Sequence, residues 1–351
     1  MFGSDIKEQV INLHNENEVN QVKNFLANHD LQFEQDIEYC ITYIDPKSKS
    51  IIGTGSFSGK VLKCLAVDEQ YQGQNILGKI MTSLMREQYS RGNNHLFLFT
   101  PPKNISFFRQ MNFHKLAAVN NKIVLMENTP NGIKDYQEKL YEGKLPSKNT
   151  AAIVVNCNPF TLGHRYLIEQ AAGENDVLYV FVVKEDRSSF PFEIRYNLVV
   201  EGTKDLDNVV VFKGEDYIIS NATFPSYFLK DCQDIVKTHA HLDLEIFSTY
   251  IVPVLNIKTR YVGKEPYCQV TNTYNKLMEE TLPQKGIKVT ELQRYDIDGQ
   301  PISASEVRKL IKQGKLAETK PLLPKTTYEF LVSDQARPII DNIQRSETSR
   351  H

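Results

Sequence analysis

From residue 151 onward the chain alternates short apolar runs with helical stretches, and this alternation limits its fold more than any other feature. Residues 151–155 form an apolar run of strand length, followed by a helix over about 163–172. A strand at 177–183 precedes a helix at 192–206, and a strand at 209–212 leads through a long loop to a helix around 225–238. Next come a strand at 260–262, a helix at 271–280 and a strand at 288–292. Two helices, about 303–313 and 325–345, finish the chain. Helices are the usual crossovers between parallel strands, so the pattern predicts a parallel sheet covered on both faces. Ligands of such sheets sit outside the carboxyl ends of the strands, where the winding reverses.

The preceding part is patterned differently. Strands are expected at 39–44 and 50–57, joined at Asp45-Pro46-Lys47, and again at 61–67. A helix is expected over 76–89, with Ile76, Leu77, Ile80, Leu84 and Met85 near helical spacing and Gly92 past its end. A strand at 95–100 and a short helix at 105–111 follow. Turn formers cluster at Asn128-Thr-Pro-Asn-Gly132 and Gly143-Lys-Leu-Pro-Ser-Lys-Asn149, around a polar helical stretch at 133–142. This reads as a domain at 1–128, a linker at 129–147 and a second domain at 148–351. Two domains also suit 351 residues at about 150 residues per domain.

Composition excludes several function classes. Lys plus Arg total 41 against 43 Asp plus Glu, so a basic surface built for nucleic acid is not expected. No apolar run approaches the ~18 residues of a membrane span. Residues 1–9 carry Asp5, Lys7 and Glu8 and do not read as a signal peptide. The five cysteines are widely spaced without a C-x-x-C, so neither a zinc site nor a disulfide framework is expected, and the environment is expected to be a reducing cytoplasm.

In the first domain, Val67-Asp-Glu-Gln-Tyr-Gln-Gly-Gln-Asn-Ile-Leu-Gly78 follows a strand and opens a helix. It resembles the acyl-CoA-binding turn of the GNAT N-acetyltransferase family, where backbone N–H groups at a helix start receive a pyrophosphate. Asn104-Ile-Ser-Phe-Phe-Arg-Gln-Met-Asn-Phe113 resembles the late helix and following strand of that family. Asn75 and Leu77 stand where the family has small residues, and side chains there crowd the approach of a phosphate.

In the second domain, Asn156-Cys-Asn-Pro-Phe-Thr-Leu-Gly-His164 joins the first strand to its helix. Pro159 stiffens the turn, Gly163 lets backbone approach a nucleotide, and helix N–H groups face phosphate oxygens. His164 can donate a hydrogen bond or a full charge as negative charge builds, and Thr161 can bond the same group. Thr161-Leu-Gly-His164 resembles the (T/H)-x-G-H signature of the nucleotidyltransferase superfamily. Ile302-Ser-Ala-Ser-Glu-Val-Arg308 resembles that superfamily's I-S-x-S-x-x-R/K motif, which implies that Ser303, Ser305 and Arg308 bind ATP phosphates. Ser303 and Glu306 also have the spacing of a capping box, which needs no ligand.

These motifs, with Phe190-Pro-Phe-Glu-Ile-Arg195, Ser220-Asn-Ala-Thr-Phe-Pro-Ser-Tyr-Phe228 and Arg260-Tyr-Val-Gly-Lys-Glu-Pro266, resemble the citrate (pro-3S)-lyase ligase family. The resemblance implies a GNAT-like α/β domain followed by a Rossmann-like nucleotidyltransferase domain. It implies that acetate attacks ATP to give acetyl-AMP and pyrophosphate. The acetyl group then passes to the thiol of the phosphoribosyl-dephospho-CoA group on the acyl carrier subunit of citrate lyase. A magnesium ion is expected on the triphosphate, held mostly by phosphate and water, with no protein metal cage.

Asn158, Pro159, Phe160 and Gly163 are candidates for the nucleotide site. Lys184 ends a strand at the binding edge, open to phosphate or to solvation beside Glu185 and Asp186. Arg195 is open to the triphosphate or acetate, and equally to pairing with Glu193 or Asp186. Arg260 and Gly263 are candidates for the adenosine site, and Glu265 for adenine, ribose or a structural role. Cys157 reads as a small buried residue, and His239 and His241 as surface or helix-end histidines. The alternatives to the ligase are a free-standing adenylyltransferase, a GNAT acyltransferase with a nucleotide sensor, and an inactive carrier-docking module.

Overall fold

In a computed structural model describing residues 6–119, 122–184, 188–218, 232–264, 269–297 and 300–346, the chain opens with β1 (Lys7–Val10) and α1 (Glu16–Ala27). Asn15 caps α1, its side-chain oxygen accepting from the N–H groups of Asn17 and Glu18. There follow β2 (Tyr39–Ile44), β3 (Ile51–Ser58), β4 (Val61–Val67), α2 (Ile76–Ser90), β5 (Phe97–Thr100), α3 (Ile105–Gln110), β6 (His114–Val119) and β7 (Ile123–Glu127). The seven strands form one sheet, ordered β1-β2-β3-β4-β5-β7-β6. All neighbours are antiparallel except β4 and β5, which pair in parallel only at Val61–Phe97 and Leu62–Leu98. The core under α2 gathers Ile41, Phe57, Leu62, Ile80, Leu84, Leu98, Phe113 and Met126. Asn75 opens α2 in the left-handed region (φ 59°), and its Oδ1 sits where a Cβ on Gly78 would come within 2.1 Å. The Asn75 side chain therefore lies against Gly78 in the first turn of α2.

The second half contains α4 (Gly132–Glu142), β8 (Thr150–Val155), α5 (Leu162–Gly173), β9 (Val177–Val182), α6 (Phe192–Thr203), β10 (Val209–Lys213) and α7 (Cys232–Ile246). A wider π-type turn at Phe247–Ile251 leads into α8 (Val252–Leu255), β11 (Thr259–Gly263), α9 (Gln269–Thr281) and β12 (Lys288–Leu292). A two-residue hairpin, β13 (Asp296–Ile297) and β14 (Gln300–Pro301), precedes α10 (Ala304–Lys312), α11 (Lys325–Leu331) and α12 (Arg337–Arg345). The five long strands pair in parallel in the order β10-β9-β8-β11-β12. Counted within this half the order is 3-2-1-4-5, that of a Rossmann-like sheet, with the winding reversing between β8 and β11. One face packs Ile153, Val155, Val180, Val182 and Tyr261 against Ile168, Leu198 and Val199.

The chain divides into two compact units, Met1–Gly132 with Pro225–Thr238, and Ile133–Phe224 with His239–His351. Most of α4, in the stretch read as a linker, belongs to the second. Tyr136 and Leu140 are buried, the Tyr136 hydroxyl donates to the Lys213 carbonyl (3.0 Å), and the Tyr136 and Tyr217 rings stack. Two helix readings need correction. The helix placed at 225–238 is described from Cys232 and runs on to Ile246, with Leu242, Leu244 and Ile246 all buried. The single helix read at 325–345 is two, broken at Val332–Ala336, with Pro338 in the first turn of α12. Among the described residues no helix is long and apolar enough to cross a membrane.

Candidate active site

The segment from Asn156 to His164 leaves β8 at the reversal point, beside β11, where a parallel sheet opens a crevice for ligands. Its first residues are scaffold. Cys157 is buried, with burial pushing its thiol up, and has φ 53°; the Asn158–Pro159 bond is cis. Asn158 is buried and its Oδ1 accepts from the Phe190 N–H (3.0 Å). Phe160 is fully buried against Gly202 of α6, where a Cβ would come within 2.4 Å of its ring. Asn158, Pro159 and Phe160 therefore shape the turn from inside and do not present their side chains to a ligand.

Thr161 caps α5, and His164 reaches back to it. The Thr161 N–H donates to His164 Nδ1 (3.1 Å), and the Thr161 hydroxyl lies 2.9 Å from the same nitrogen. With Nδ1 accepting, the neutral ring carries its proton on Nε2 and is a hydrogen-bond donor there. Thr161 is 1% exposed, so it orients His164 and does not meet a ligand itself. Burial, and then the charge of Arg294, hold the His164 imidazolium down to a pKa of about 4. Of the two roles open in the sequence, the site alone supports the neutral donor at pH 7. An NMR titration of the free protein should place the His164 midpoint near 4, rising when a polyphosphate binds. The folded pKa lies below the unfolded value of ~6.5, so this group's stabilisation is present above that pH and lost as pH falls towards about 4.

Ser303 caps α10, its Oγ accepting from the Glu306 N–H (3.1 Å), while the Glu306 carboxylate turns to Lys309 (3.2 Å). The Ser303 O–H remains a donor. Ser305 is exposed in the first turn, 3.3 Å from Arg308 Nη2. Arg308 Nη1 donates to the Asn158 carbonyl (2.5 Å), which joins the two motifs directly. Gly163 provides a second junction, since a Cβ there would lie 3.0 Å from the Ile302 carbonyl oxygen. The close approach that requires glycine is thus to the other motif. Arg308 is partly buried, burial lowers its pKa, and its Nε is enclosed without a hydrogen-bond partner. Among the described residues, it holds a charge next to two helix starts with only neutral oxygens as partners.

Other candidates fall elsewhere. Arg195 is fully buried: Nε donates to the Phe190 carbonyl (3.0 Å), and Nη1 to the Asn156 carbonyl (2.6 Å), Asn156 Oδ1 (2.8 Å) and the Val183 carbonyl (2.9 Å). It ties together the loops after β8 and β9, and Glu193 pairs with Lys213 (2.7 Å). Lys184 faces Glu215 and Asp216 beyond β10, at 4.0 and 3.9 Å. Arg260 is paired in register with Ala152, low on β11 and not at its end, and its guanidinium lies 4.4 Å from the Phe247 ring centroid in the core. It cannot line an adenosine site from there. His239 is likewise buried, with its ring 6.0 Å from that of Tyr274. Gly263 does end β11 in open space, with Leu167 at 4.0 Å from a notional Cβ. Glu265, Glu185, Asp186 and the 220–228 motif lie outside the described residues. The sequence reading missed Arg294, although the argument that singled out Lys184, a cation at a strand end, applies equally to it.

A family model described as the citrate lyase ligase C-terminal domain matches residues 150–331, which include both motifs. The citrate (pro-3S)-lyase ligase of Escherichia coli (strain K12) is 38% identical over 336 residues, 94% of this chain and 95% of that one. The chain belongs to the citrate lyase ligase family. Among solved structures, an acyl-CoA N-acyltransferase from Pseudomonas aeruginosa is similar to 36% of this family member and 100% of its own chain, with 6% identity and a TM-score of 0.31. A bifunctional NMN adenylyltransferase/ADP ribose pyrophosphatase from Francisella tularensis is similar to 55% of this chain and 52% of its own, with 13% identity and a TM-score of 0.36. In this citrate lyase ligase family member the sheet's reversal point, the His164 turn and the Ser303–Arg308 helix start form one contiguous site.

Proposed function

We propose that the second half activates acetate with ATP and transfers the acetyl group to the thiol of the phosphoribosyl-dephospho-CoA arm on the acyl carrier subunit of citrate lyase. The observation that carries the nucleotide part is Arg308, a partly buried cation that has only neutral partners among the described residues and lies between two helix starts. A buried charge without a counter-ion is costly, and a polyphosphate supplies the missing charge. An acetate oxygen attacks the α-phosphorus, the bond to the pyrophosphate oxygen breaks, and acetyl-AMP remains. The carrier thiolate then attacks the acetyl carbon and AMP leaves. Such a displacement needs alignment and charge neutralisation more than a protein nucleophile. This reading assigns both tasks to His164 Nε2–H, the Ser303 and Ser305 hydroxyls, Arg308 and the N–H groups of α5 and α10. Magnesium would enter as the ATP chelate, held mostly by phosphate and water. The test is isotope exchange between ATP and pyrophosphate. Exchange that requires acetate is expected, and exchange without it, or none with it, overturns the reading.

A further inference from the structure

We propose, on the strength of the acetate-activation reading above, that the Asn156 side-chain amide is the carboxylate-binding donor of the site. Its Nδ2 holds the acetate oxygen that does not attack phosphorus, while His164, Ser303, Ser305 and Arg308 serve the nucleotide.

Asn156 is the first residue past β8, the central strand, at the carboxyl edge beside the reversal point. Val155 before it and Cys157 after it are buried, and Asn156 between them is exposed. An exposed side chain usually changes rotamer within nanoseconds, but this one is clamped from behind. Arg195 Nη1 donates to the Asn156 carbonyl (2.6 Å) and to Asn156 Oδ1 (2.8 Å). A guanidinium only donates, so the amide atom it meets is the oxygen and the NH2 group is turned away from Arg195. One Nδ2–H donates to Ser188 Oγ (3.2 Å), and the other has no partner among the described residues.

The clamp is itself a buried charge. Arg195 is fully buried, its Nε donates to the Phe190 carbonyl and its Nη1 also to the Val183 carbonyl, so it does not reach a ligand. Through Oδ1 it draws electron density from the amide, which strengthens Nδ2–H as a donor. A carboxylate at this edge meets a donor that is neutral but polarised, and its attacking oxygen keeps its charge. A guanidinium in direct contact would engage both oxygens in a fork and leave neither free to attack. Arg308 donates to the Asn158 carbonyl two residues further on, so one short turn carries the donor for the acid and is tied to the cation for the phosphates.

The experiment uses the full chain, with acetate KM from acetate-dependent ATP–pyrophosphate exchange, Mg-ATP binding by calorimetry and stability by urea unfolding. Asn156→Asp keeps an oxygen for Arg195, and so keeps the clamp, but presents an oxygen where acetate needs a donor. It should raise acetate KM about 10- to 100-fold, the effect of losing one hydrogen bond to a charged group. The urea midpoint should not fall, and Mg-ATP binding should change less than about threefold. Asn156→Ala, which adds no charge, should raise acetate KM in the same direction with Mg-ATP binding kept, and it serves alone if the Asp variant does not fold. An asparagine that only braces the turn predicts wild-type acetate KM in Asn156→Asp, because the clamp is intact. Unchanged acetate KM in the folded variants overturns this assignment alone. A rise in Asn156→Asp that folded Asn156→Ala does not share is repulsion by the new charge and overturns it too, as does Mg-ATP binding weakened as much as acetate or in its place. A wild-type chain without acetate-dependent exchange removes the acetate reading and this assignment with it.

Discussion

His164→Ala is expected to lower acetate-dependent ATP–pyrophosphate exchange by about 100- to 1,000-fold, the usual effect of losing one preorganised donor to transition-state charge. The fold should survive the change. The backbone N–H of residue 164 still faces the Thr161 hydroxyl at α5, so the helix keeps much of its cap. The Phe160 ring under the imidazole remains packed on Gly202. What disappears is a neutral donor whose orientation Thr161 fixes from behind and whose protonation is held down by burial and by Arg294. Thermal denaturation checks the first point and the exchange rate the second. A folded His164→Ala chain that exchanges at near wild-type rate removes His164 from the chemistry. Thr161→Val should produce a milder loss, since it frees the ring to rotate without deleting the donor.

The elements legible in the sequence are those whose signal is local. Strands β8 and β9 differ from their readings by one residue, because buried parallel strands are continuous apolar runs bounded by breakers; β12, a part-exposed edge strand with Val289 and Leu292 as its apolar residues, lies at the residues read for it. The turn at 156–161 is legible because Asn156, Asn158 and Pro159 favour neither a helix interior nor a strand, and Thr161 is an N-cap residue. By contrast, β1 and α1 were not read. Strand β1 is four residues with a half-exposed pattern, and α1 buries only Val22 and Leu26 fully. The continuous helix read at 325–345 failed because its apolar spacing persists through the break, with Leu331 before it and Ile339 after it both buried in one cluster.

The site was harder to read for a related reason. Motif spacing identifies which residues are close to a ligand-binding turn but does not distinguish a side chain that faces the ligand from one that builds the turn. Thr161, Phe160, Asn158 and His164 lie within seven positions, and only His164 turns a donor outward. Arg260 shows the same limit in a strand. Its neighbour Tyr261 faces the α5 side of the sheet, so alternation sends Arg260 to the other face. That parity is available in the sequence once Tyr261 is placed in the core, but it needs the strand register.

Arg195 and Arg308 separate the two kinds of residue by experiment. Arg195→Met deletes a guanidinium in a fully buried position whose acceptors include the carbonyls of Asn156, Val183 and Phe190 and the Asn156 amide oxygen. An orphaned buried group costs ~1–3 kcal/mol, and several are orphaned together here. The expected result is a loss of at least ~3 kcal/mol in urea unfolding, with activity per folded molecule falling because the 156–161 turn loosens. Arg308→Ala removes a charge that has no counter-ion among the described residues, so it should change stability by less than ~1 kcal/mol and raise the KM for ATP more than that for acetate. The two variants thus exchange signatures, stability for one and nucleotide affinity for the other. An Arg195→Met chain that unfolds at the wild-type urea concentration but shows a raised KM for ATP would restore Arg195 as a phosphate contact. An unchanged KM for ATP together with unchanged turnover in Arg308→Ala would take Arg308 out of the site.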